Sequence, residues 1–309
     1  MLNEQVGAEW ANNFWLYRPD YKERFKSMVD AVLREKGEQL VYTDFNGIDL
    51  IHPGRHHTVD DFFKTHRIPS DSRVLEIGTG LGGSTRHMHA TTGVSIHGIE
   101  FLQHFVECSQ ELNELLGYSD KITLQNADIA NCEIPENTYD AAVAIVCFMY
   151  VQNTQGLMNV AKALKPGGLF YLEEYYFIKP RDQWNENDLH CIEARGMCGV
   201  RTKEEYYSLF DQMGMEIVEE VEWGKYWSES AWERAQAIID KGDEQDTGIQ
   251  SMFHQYVVVS PQLTCDLDHL SLEEIHRRYP GVVKVLDPAE VVFNRPRLTS
   301  VWKVVLRKK

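Results

Sequence analysis

Three glycines at alternate positions, Gly78, Gly80 and Gly82, follow the apolar residues Val74, Leu75 and Ile77 in RVLEIGTGLGGSTRHM (Arg73–Met88). A short apolar run, a tight glycine turn and a helix start put backbone N–H groups at the carboxyl end of a strand. A nucleotide-like ligand is held at such a place. Glycine permits positive φ and lets a ligand approach the backbone. Read alone, the glycines could do no more than shape a turn. Two acids add to the pattern. SIHGIEF (Ser95–Phe101) reads as a second strand ending on Glu100. A carboxylate about 20 residues beyond the turn can accept hydrogen bonds from ribose hydroxyls. ITLQNAD (Ile122–Asp128) reads as a third strand ending on Asp128. That acid could take the exocyclic amine of an adenine, or simply cap a helix.

A second group of residues could act on a reactant. Tyr42 and Tyr150 offer phenols that orient or hold one hydrogen bond, and rings that can face a developing cation. His52, His56 and His57 cluster in sequence, and imidazole is the natural base near neutral pH. Tyr175 and Tyr176 follow the fifth apolar run. Arg181, Arg195 and Arg201 could clamp a carboxylate or phosphate bidentately. Trp223, Tyr226 and Trp227 could line an aromatic cage. Each of these residues has a plain alternative as a packed aromatic or a surface side chain.

These residues need a scaffold. Residues 70–225 alternate short apolar runs with amphipathic segments, which implies βαβ units and a parallel sheet. Helices are expected at Ala8–Tyr17 and Tyr21–Lys36, with Gly37 as a stop, and at Thr58–His66. Further helices are expected at Leu102–Leu116, capped by Gly117, at Thr154–Leu164, and at Thr202–Met213. Thr202 with Glu205 three residues on forms a capping box. Met215–Trp223 and Thr299–Leu306 alternate like strands. Ser228–Lys241 looks helical and Gly242–Gly248 loop-like, whereas Ile249–Val259, Ser271–Tyr279 and Val282–Phe293 look ordered but leave the βαβ rhythm. The chain divides into a helical or lid segment (1–69), a ligand-binding core (70–225), an inserted cap or dimerisation element (226–298) and a final core strand (299–309).

Composition narrows the function. The 309 residues are 43% hydrophobic, enough for a packed core, and carry a formal net charge of −16. An acidic chain without a dense Lys/Arg run argues against nucleic acid and anionic membrane partners. The N-terminus lacks a signal pattern, and the longest apolar run, Ala141–Val151, is too short to span a bilayer. A cytoplasmic protein is expected. The six cysteines form no CxxC pair and no metal-ligand spacing, so no metal is expected.

The combination of LEIGTGLGG, an acid at the second strand end, NAD, YDAAVA and ALKPGG resembles the class I S-adenosylmethionine-dependent methyltransferases over roughly residues 70–225. A nicotinamide-binding domain is the nearest competitor, but its usual pattern is GxGxxG, whereas GxGxGG stands here. Within the class, YTDFNGIDLIHPGRH (Tyr42–His56) is similar to the glycine, sarcosine and dimethylglycine N-methyltransferases and the phosphoethanolamine N-methyltransferases. The resemblance implies a Rossmann-like α/β fold with a mostly parallel seven-stranded sheet, helices on both faces, an N-terminal helical lid and a last strand antiparallel beside the fifth. It implies that S-adenosylmethionine is held by Glu76, Gly78, Thr79, Gly80, Gly82, Glu100, Phe101, Asp128 and Ile129. Tyr42, Tyr150 and His52 are then the candidate catalytic residues. Tyr175, Tyr176, Arg181 and Arg195 are the candidate substrate contacts. The resembling phosphoethanolamine enzymes carry an Asp and a His just after the fourth strand; Val146 and Tyr150 stand there in this chain. Methyl transfer to the nitrogen of a small amine is the first expectation. Transfer to the sulfur of a small thioether acid such as 4-methylthio-2-hydroxybutyrate is the alternative, and a non-catalytic partner subunit is a minor one. The expected partner is a small-molecule acceptor, and a homodimer is compatible with the segment 226–298.

Overall fold

The computed structural model describes residues 21–37, 39–50, 52, 56–186, 188–189, 199–240, 270–285 and 298–309. Its strands are β1 (Arg73–Ile77), β2 (Ser95–Glu100), β3 (Ile122–Asn126), β4 (Tyr139–Ile145), β5 (Leu164–Phe177), β6 (Arg201–Thr202), β7 (Met215–Glu222) and β8 (Thr299–Lys308). They form one sheet in the order β3-β2-β1-β4-β5-β8-β7, with β6 pairing to β5. The pairs among β1 to β5 are parallel, and β8 runs antiparallel to both β5 and β7. The last strand thus lies beside the fifth as expected. Among the described residues the sheet has eight strands rather than seven. The extra piece exists because the Arg201 guanidinium donates to the Gln152 and Asn153 carbonyls at 2.9 and 3.4 Å. That tether holds the backbone alongside Tyr176 and Phe177.

Helices α1 (Tyr21–Lys36), α2 (His57–His66), α3 (Gly83–Thr92), α4 (Gln103–Leu115), α5 (Gln155–Ala163), α6 (Lys203–Gln212), α7 (Gly224–Asp240), α8 (Leu272–Arg278) and α9 (Pro280–Val285) surround the sheet. Ala141–Ala144 are fully buried, as expected of a parallel strand covered on both faces. On one face, α5 and α6 pack on Leu75, Ala142, Leu172 and Trp302. On the other, α2 places Val59, Phe62 and Phe63 against Val74, Met88, Tyr171 and Val305. Tyr21 and Phe25 of α1 pack on Phe105, Cys108 and Leu112 of α4. Burying each such large side chain contributes about 2 to 3 kcal/mol. Thr202 caps α6 as read from the sequence: its hydroxyl accepts from Glu205 N–H at 3.3 Å, and Glu205 accepts from Thr202 N–H at 2.8 Å. The KPGG segment is not a turn ahead of β5. It is the start of that strand, with a register break and Gly167 at φ 77°. The expected helices at Ala8–Tyr17 and the element Ile249–Val259 lie outside the described residues. Among the described residues, no helix is long and apolar enough to cross a membrane.

The chain leaves β1 for β2 and β3 on one side, then returns to β4 on the other. The order therefore reverses between β1 and β4, and the crevice above that reversal is where open α/β sheets bind ligands.

Candidate functional site

The glycine loop leaves β1 at this reversal. Gly78, Gly80 and Gly82 adopt φ of 68°, 56° and 82°, the left-handed region that favours glycine. Their roles differ. A Cβ on Gly78 would sit 2.4 Å from Cys147 Cβ, so this glycine lets the loop cross the end of β4. A Cβ on Gly82 would meet Ser109 Oγ at 2.1 Å and Arg86 Nη1 at 2.6 Å. Gly82 therefore serves the close packing of α3 on α4, and that side of it offers no surface to a ligand. Gly80 N–H donates to Glu100 Oε2 at 2.9 Å.

Glu100 ends β2 and is 6% exposed. Its second oxygen accepts from Leu102 N–H at 2.9 Å. Burial raises its pKa, and the backbone N–H donors oppose that shift. Phe101, next to it, is 69% exposed at the rim. On β1, Glu76 is buried; burial pushes its pKa up to about 8, opposed by the Thr85 hydroxyl and the Arg86 charge. Glu76 Oε2 and Thr79 Oγ1 are buried and have no hydrogen-bond partner among the described residues. Asp128 turns its oxygens onto its own loop, accepting from Ala130 N–H at 2.9 Å and from Asn131 Nδ2 at 2.6 Å. Asp128 thus closes a turn of its own loop two residues beyond β3; no helix follows it there, so it is not the helix cap that the sequence offered as the alternative. Ile129 is buried against Phe148 and Leu157, next to Gly156.

A strap formed by a 3₁₀ turn (Tyr42–Phe45) and a helical turn (Asn46–Asp49) crosses the first turns of α3. Three positions of α3 hold it. His52 Nε2 lies 2.9 Å from Ser84 Oγ. Arg86 donates to Asp49 Oδ2 at 2.8 Å, with both side chains buried. The Tyr42 hydroxyl lies 3.1 Å from His87 Nδ1, and His87 Nε2 lies 2.6 Å from Asp60 Oδ1. A carboxylate only accepts, so Nε2 carries the proton, and in the neutral ring Nδ1 accepts from the Tyr42 hydroxyl. The His56 ring stacks on His87 at 3.8 Å. His87, Asp60, Arg86 and Asp49 were not singled out from the sequence. The signal available was the i, i+2, i+3 spacing of Ser84, Arg86 and His87 directly after the glycine turn.

At the carboxyl ends of β4 and β5, Met149, Tyr175, Phe177, Val200, Trp227 and Val301 form a buried cluster, with Tyr175 and Tyr176 inside β5 rather than after it. Half-buried Val146, Tyr150, Trp184, Trp223 and Tyr226 pack on it. Val146 has φ 49°, an outlier for a β-branched residue, and its N–H donates to Glu173 O at 2.7 Å. Tyr150 thus sits with Tyr175, but Tyr176 does not. Successive strand residues face opposite sides of the sheet. Tyr176 lies against Trp302, donates to Glu222 Oε2 at 2.9 Å and faces the Lys203 ammonium at 4.7 Å. It stands apart from Tyr175 and the aromatic cluster. Arg181 is engaged by Glu205 through two bonds of 2.7 and 3.1 Å. Arg201 is spent on backbone carbonyls. Arg195 lies outside the described residues, as does the side chain of His57.

Residues 74–168 match the methyltransferase domain family. A phosphoethanolamine N-methyltransferase of Plasmodium falciparum is 24% identical over 192 residues, 61% of this chain and 70% of that protein. A sterol 24-C-methyltransferase of Yarrowia lipolytica is 30% identical over 114 residues, 37% of this chain and 30% of that protein. The chain thus spans about a third of the length of the sterol enzymes that it matches. Among solved structures, phosphoethanolamine N-methyltransferase 2 of Haemonchus contortus, bound to phosphomonomethylethanolamine and S-adenosylhomocysteine, superposes with a TM-score of 0.63 at 15% identity, covering 90% of this chain and 60% of that one. A sarcosine dimethylglycine methyltransferase homologue from Galdieria sulphuraria gives 0.58 at 15% identity, covering 82% and 84%. The matched segment holds the glycine loop, and the sheet order is that of a Rossmann-like methyltransferase fold. The phosphoethanolamine enzymes are similar in sequence and in fold, and the sarcosine/dimethylglycine protein in fold.

Proposed function

We propose that this protein is an S-adenosylmethionine-dependent methyltransferase acting on a small molecule. The observation that carries the reading is the floor of the glycine-loop crevice. Glu100 is fixed there by two backbone N–H groups, and Glu76 Oε2 and Thr79 Oγ1 are buried without partners among the described residues. Buried polar atoms of this kind are normally satisfied, and a cofactor with hydroxyl and ammonium donors would satisfy them. The residues therefore fit the cofactor. Glu100 would take the ribose hydroxyls, Glu76 and Thr79 the methionine end, and Asp128 the adenine amine through lone pairs that its turn leaves over. Ile129 would support the adenine from below, and exposed Phe101 would shield its edge.

When bound, the cofactor supplies an electrophilic methyl for in-line displacement. The chain's own residues need to orient the acceptor and keep water out. The strap over α3 is placed to do the second. For the acceptor, an amine nitrogen is the reading we favour, because the Tyr42–His87–Asp60 array offers a route for the proton that an amine must lose. The thioether alternative draws on Val146 and Tyr150, which leave the end of β4 without the carboxylate and imidazole of the resembling enzymes. Transfer of labelled methyl to a panel of glycine, sarcosine, dimethylglycine, phosphoethanolamine and methylthio acids tests both. Turnover on an amine that rises with pH supports the first, and pH-independent turnover on a thioether alone replaces it with the second. Failure to bind S-adenosylmethionine overturns the whole reading.

A further inference from the structure

Buried acids from β1, β2 and β5 converge on the end of β4. Cys147 stands there, half-buried, with its Cβ 2.4 Å from the place where a side chain on Gly78 would begin. Burial, and then the charges of Glu174, Glu100 and Glu76, push its thiol well above the ordinary range. In the cofactor reading Glu100 faces the ribose and Glu76 the methionine end. The sulfur of S-adenosylmethionine joins those two parts, so its place is over Cys147. Glu174 is the third acid around that thiol, and the transfer reading gives it no task.

Glu174 is fully buried. Its Oε1 accepts from Tyr175 N–H at 2.9 Å and its Oε2 from Met149 N–H at 3.1 Å. The carboxyl group is thereby fixed behind the loop that follows β4. Gly199 N–H holds the same loop through the Met149 carbonyl at 2.7 Å. A Cβ on Gly199 would meet the Phe148 carbonyl oxygen at 2.0 Å, so the brace is tight. The titratable and charged groups facing Glu174 are Arg201 from β6, Tyr206 from α6 and Cys147 from β4. Its neighbour on β8 is the uncharged Trp302. Burial keeps Tyr206 and Cys147 protonated. Burial also raises the Glu174 pKa to about 8, against the pull of backbone N–H groups and of Arg201. Near neutral pH, a nearby gain of positive charge is enough to take the proton off such a group.

We propose that Glu174 is the residue by which the protein tells S-adenosylmethionine from S-adenosylhomocysteine: it gives up its proton when a sulfonium lies over Cys147 and keeps it beneath a neutral thioether. The inference rests on the methyltransferase reading and adds a charge sensor to its cofactor site. The two ligands share the adenosine and the amino acid, and they differ by one methyl group and one positive charge. A buried carboxylate feels that charge strongly because little water screens it. Ionised Glu174 therefore stabilises the donor and offers nothing to the product. Its proton passes to solvent as the donor binds. When transfer removes the charge from sulfur, the proton returns and the hold on the spent cofactor weakens.

The test is calorimetry of S-adenosylmethionine and S-adenosylhomocysteine binding, each in two buffers of different ionisation enthalpy, which counts the protons released. The excess released by the donor over the product at pH 7 should be larger in the parent than in Glu174→Gln by about half a proton. The ligands' own amino groups cancel in that comparison. The ratio of donor to product affinity should accordingly climb about threefold per pH unit between about pH 6 and 8 in the parent, relative to the variant. Glu76→Gln, which faces the ammonium that both ligands carry, should alter the two proton counts alike. A donor–product difference that vanishes in Glu76→Gln and survives in Glu174→Gln overturns the proposal. A role confined to holding the loop would weaken both ligands together in Glu174→Gln and leave their proton counts unchanged, which overturns it too. Infrared difference spectra read protonated carboxyls in the unsubstituted protein, whether or not the variant folds. That signal should be smaller in the donor complex than in the product complex at pH 7, and equal signals overturn the proposal. Tight binding of both ligands in that case spares the methyltransferase reading, and binding of neither sinks that reading as well.

Discussion

Arg86 and Asp49 form an ion pair, Nη2 to Oδ2 at 2.8 Å, that is closed to solvent and joins the strap to the first turn of α3. Arg86 also donates to Ser109 and Asn113 of α4 and to the Leu81 carbonyl. Breaking a buried pair strands the surviving charge, which costs about 3 to 5 kcal/mol. Asp49→Ala should destabilise the protein by that amount in denaturant unfolding. The double change Asp49→Leu with Arg86→Met should recover much of the loss. A change under about 0.5 kcal/mol for Asp49→Ala would show that the pair is not formed.

Gly78 should tolerate no side chain. Alanine there would need φ near 68° and would meet Cys147 Cβ at 2.4 Å. Gly78→Ala should lower S-adenosylmethionine affinity at least about tenfold by calorimetry. Adding Cys147→Gly removes the clash and should restore part of it. Cys147→Ala should not, because the Cβ stays.

Stability should fall as pH rises from mildly acidic to mildly alkaline. Burial pushes Glu76 and Glu174 up to about 8 and Asp49 up to about 6. Each binds its proton more tightly folded than unfolded. Between the ordinary carboxylate range and the raised value, the unfolded chain has already lost the proton. Unfolding then releases a proton, and stability drops by up to about 1.4 kcal/mol per pH unit for each such group. Glu76→Gln should flatten one such contribution between about pH 5 and 8. Denaturant melts across that window check it, and an unchanged slope contradicts the placement of Glu76.

Tyr42→Phe removes the hydroxyl that meets His87 while keeping the ring against His56 and His87. With an amine acceptor, the rise of rate with pH should be altered in this variant and in His87→Gln, and S-adenosylmethionine affinity should move less than about threefold. A pH profile identical to that of the parent would reduce Tyr42 to a strap contact.

The parallel core was legible because its strands are short apolar runs ending on glycine or acid, so Glu100 could be placed by spacing alone. Asp128 was read as an adenine contact or a helix cap; the strand stops at Asn126, and the carboxylate closes a loop turn instead of a helix, because nothing in the sequence tells an acid that starts a helix from one that closes a turn. The strap was less visible. Tyr42 and His52 stood out by type, but Ser84, Arg86 and His87 sit in a helix of ordinary composition, and only folding brings Asp49 and Asp60 to them. Tyr175 and Tyr176 looked equivalent as neighbours; the pleat of β5 separates them. The left-handed φ of Val146 has no sequence signature, because glycine or asparagine is what such a position normally advertises.

Strand β8 enters the sheet between β5 and β7, two strands made long before it. On a ribosome, residues 73–222 emerge first with the outer edge of β5 and the inner edge of β7 both unpaired. They cannot close until residues 299–308 have been synthesised. The nascent chain must therefore carry two open sheet edges through the making of the whole intervening segment, a period of exposure to mispairing. The strand that ends that period also supplies Trp302 to one core and Lys303 to the ion pairs on the other face, so sheet closure, core completion and those pairs become a single late event.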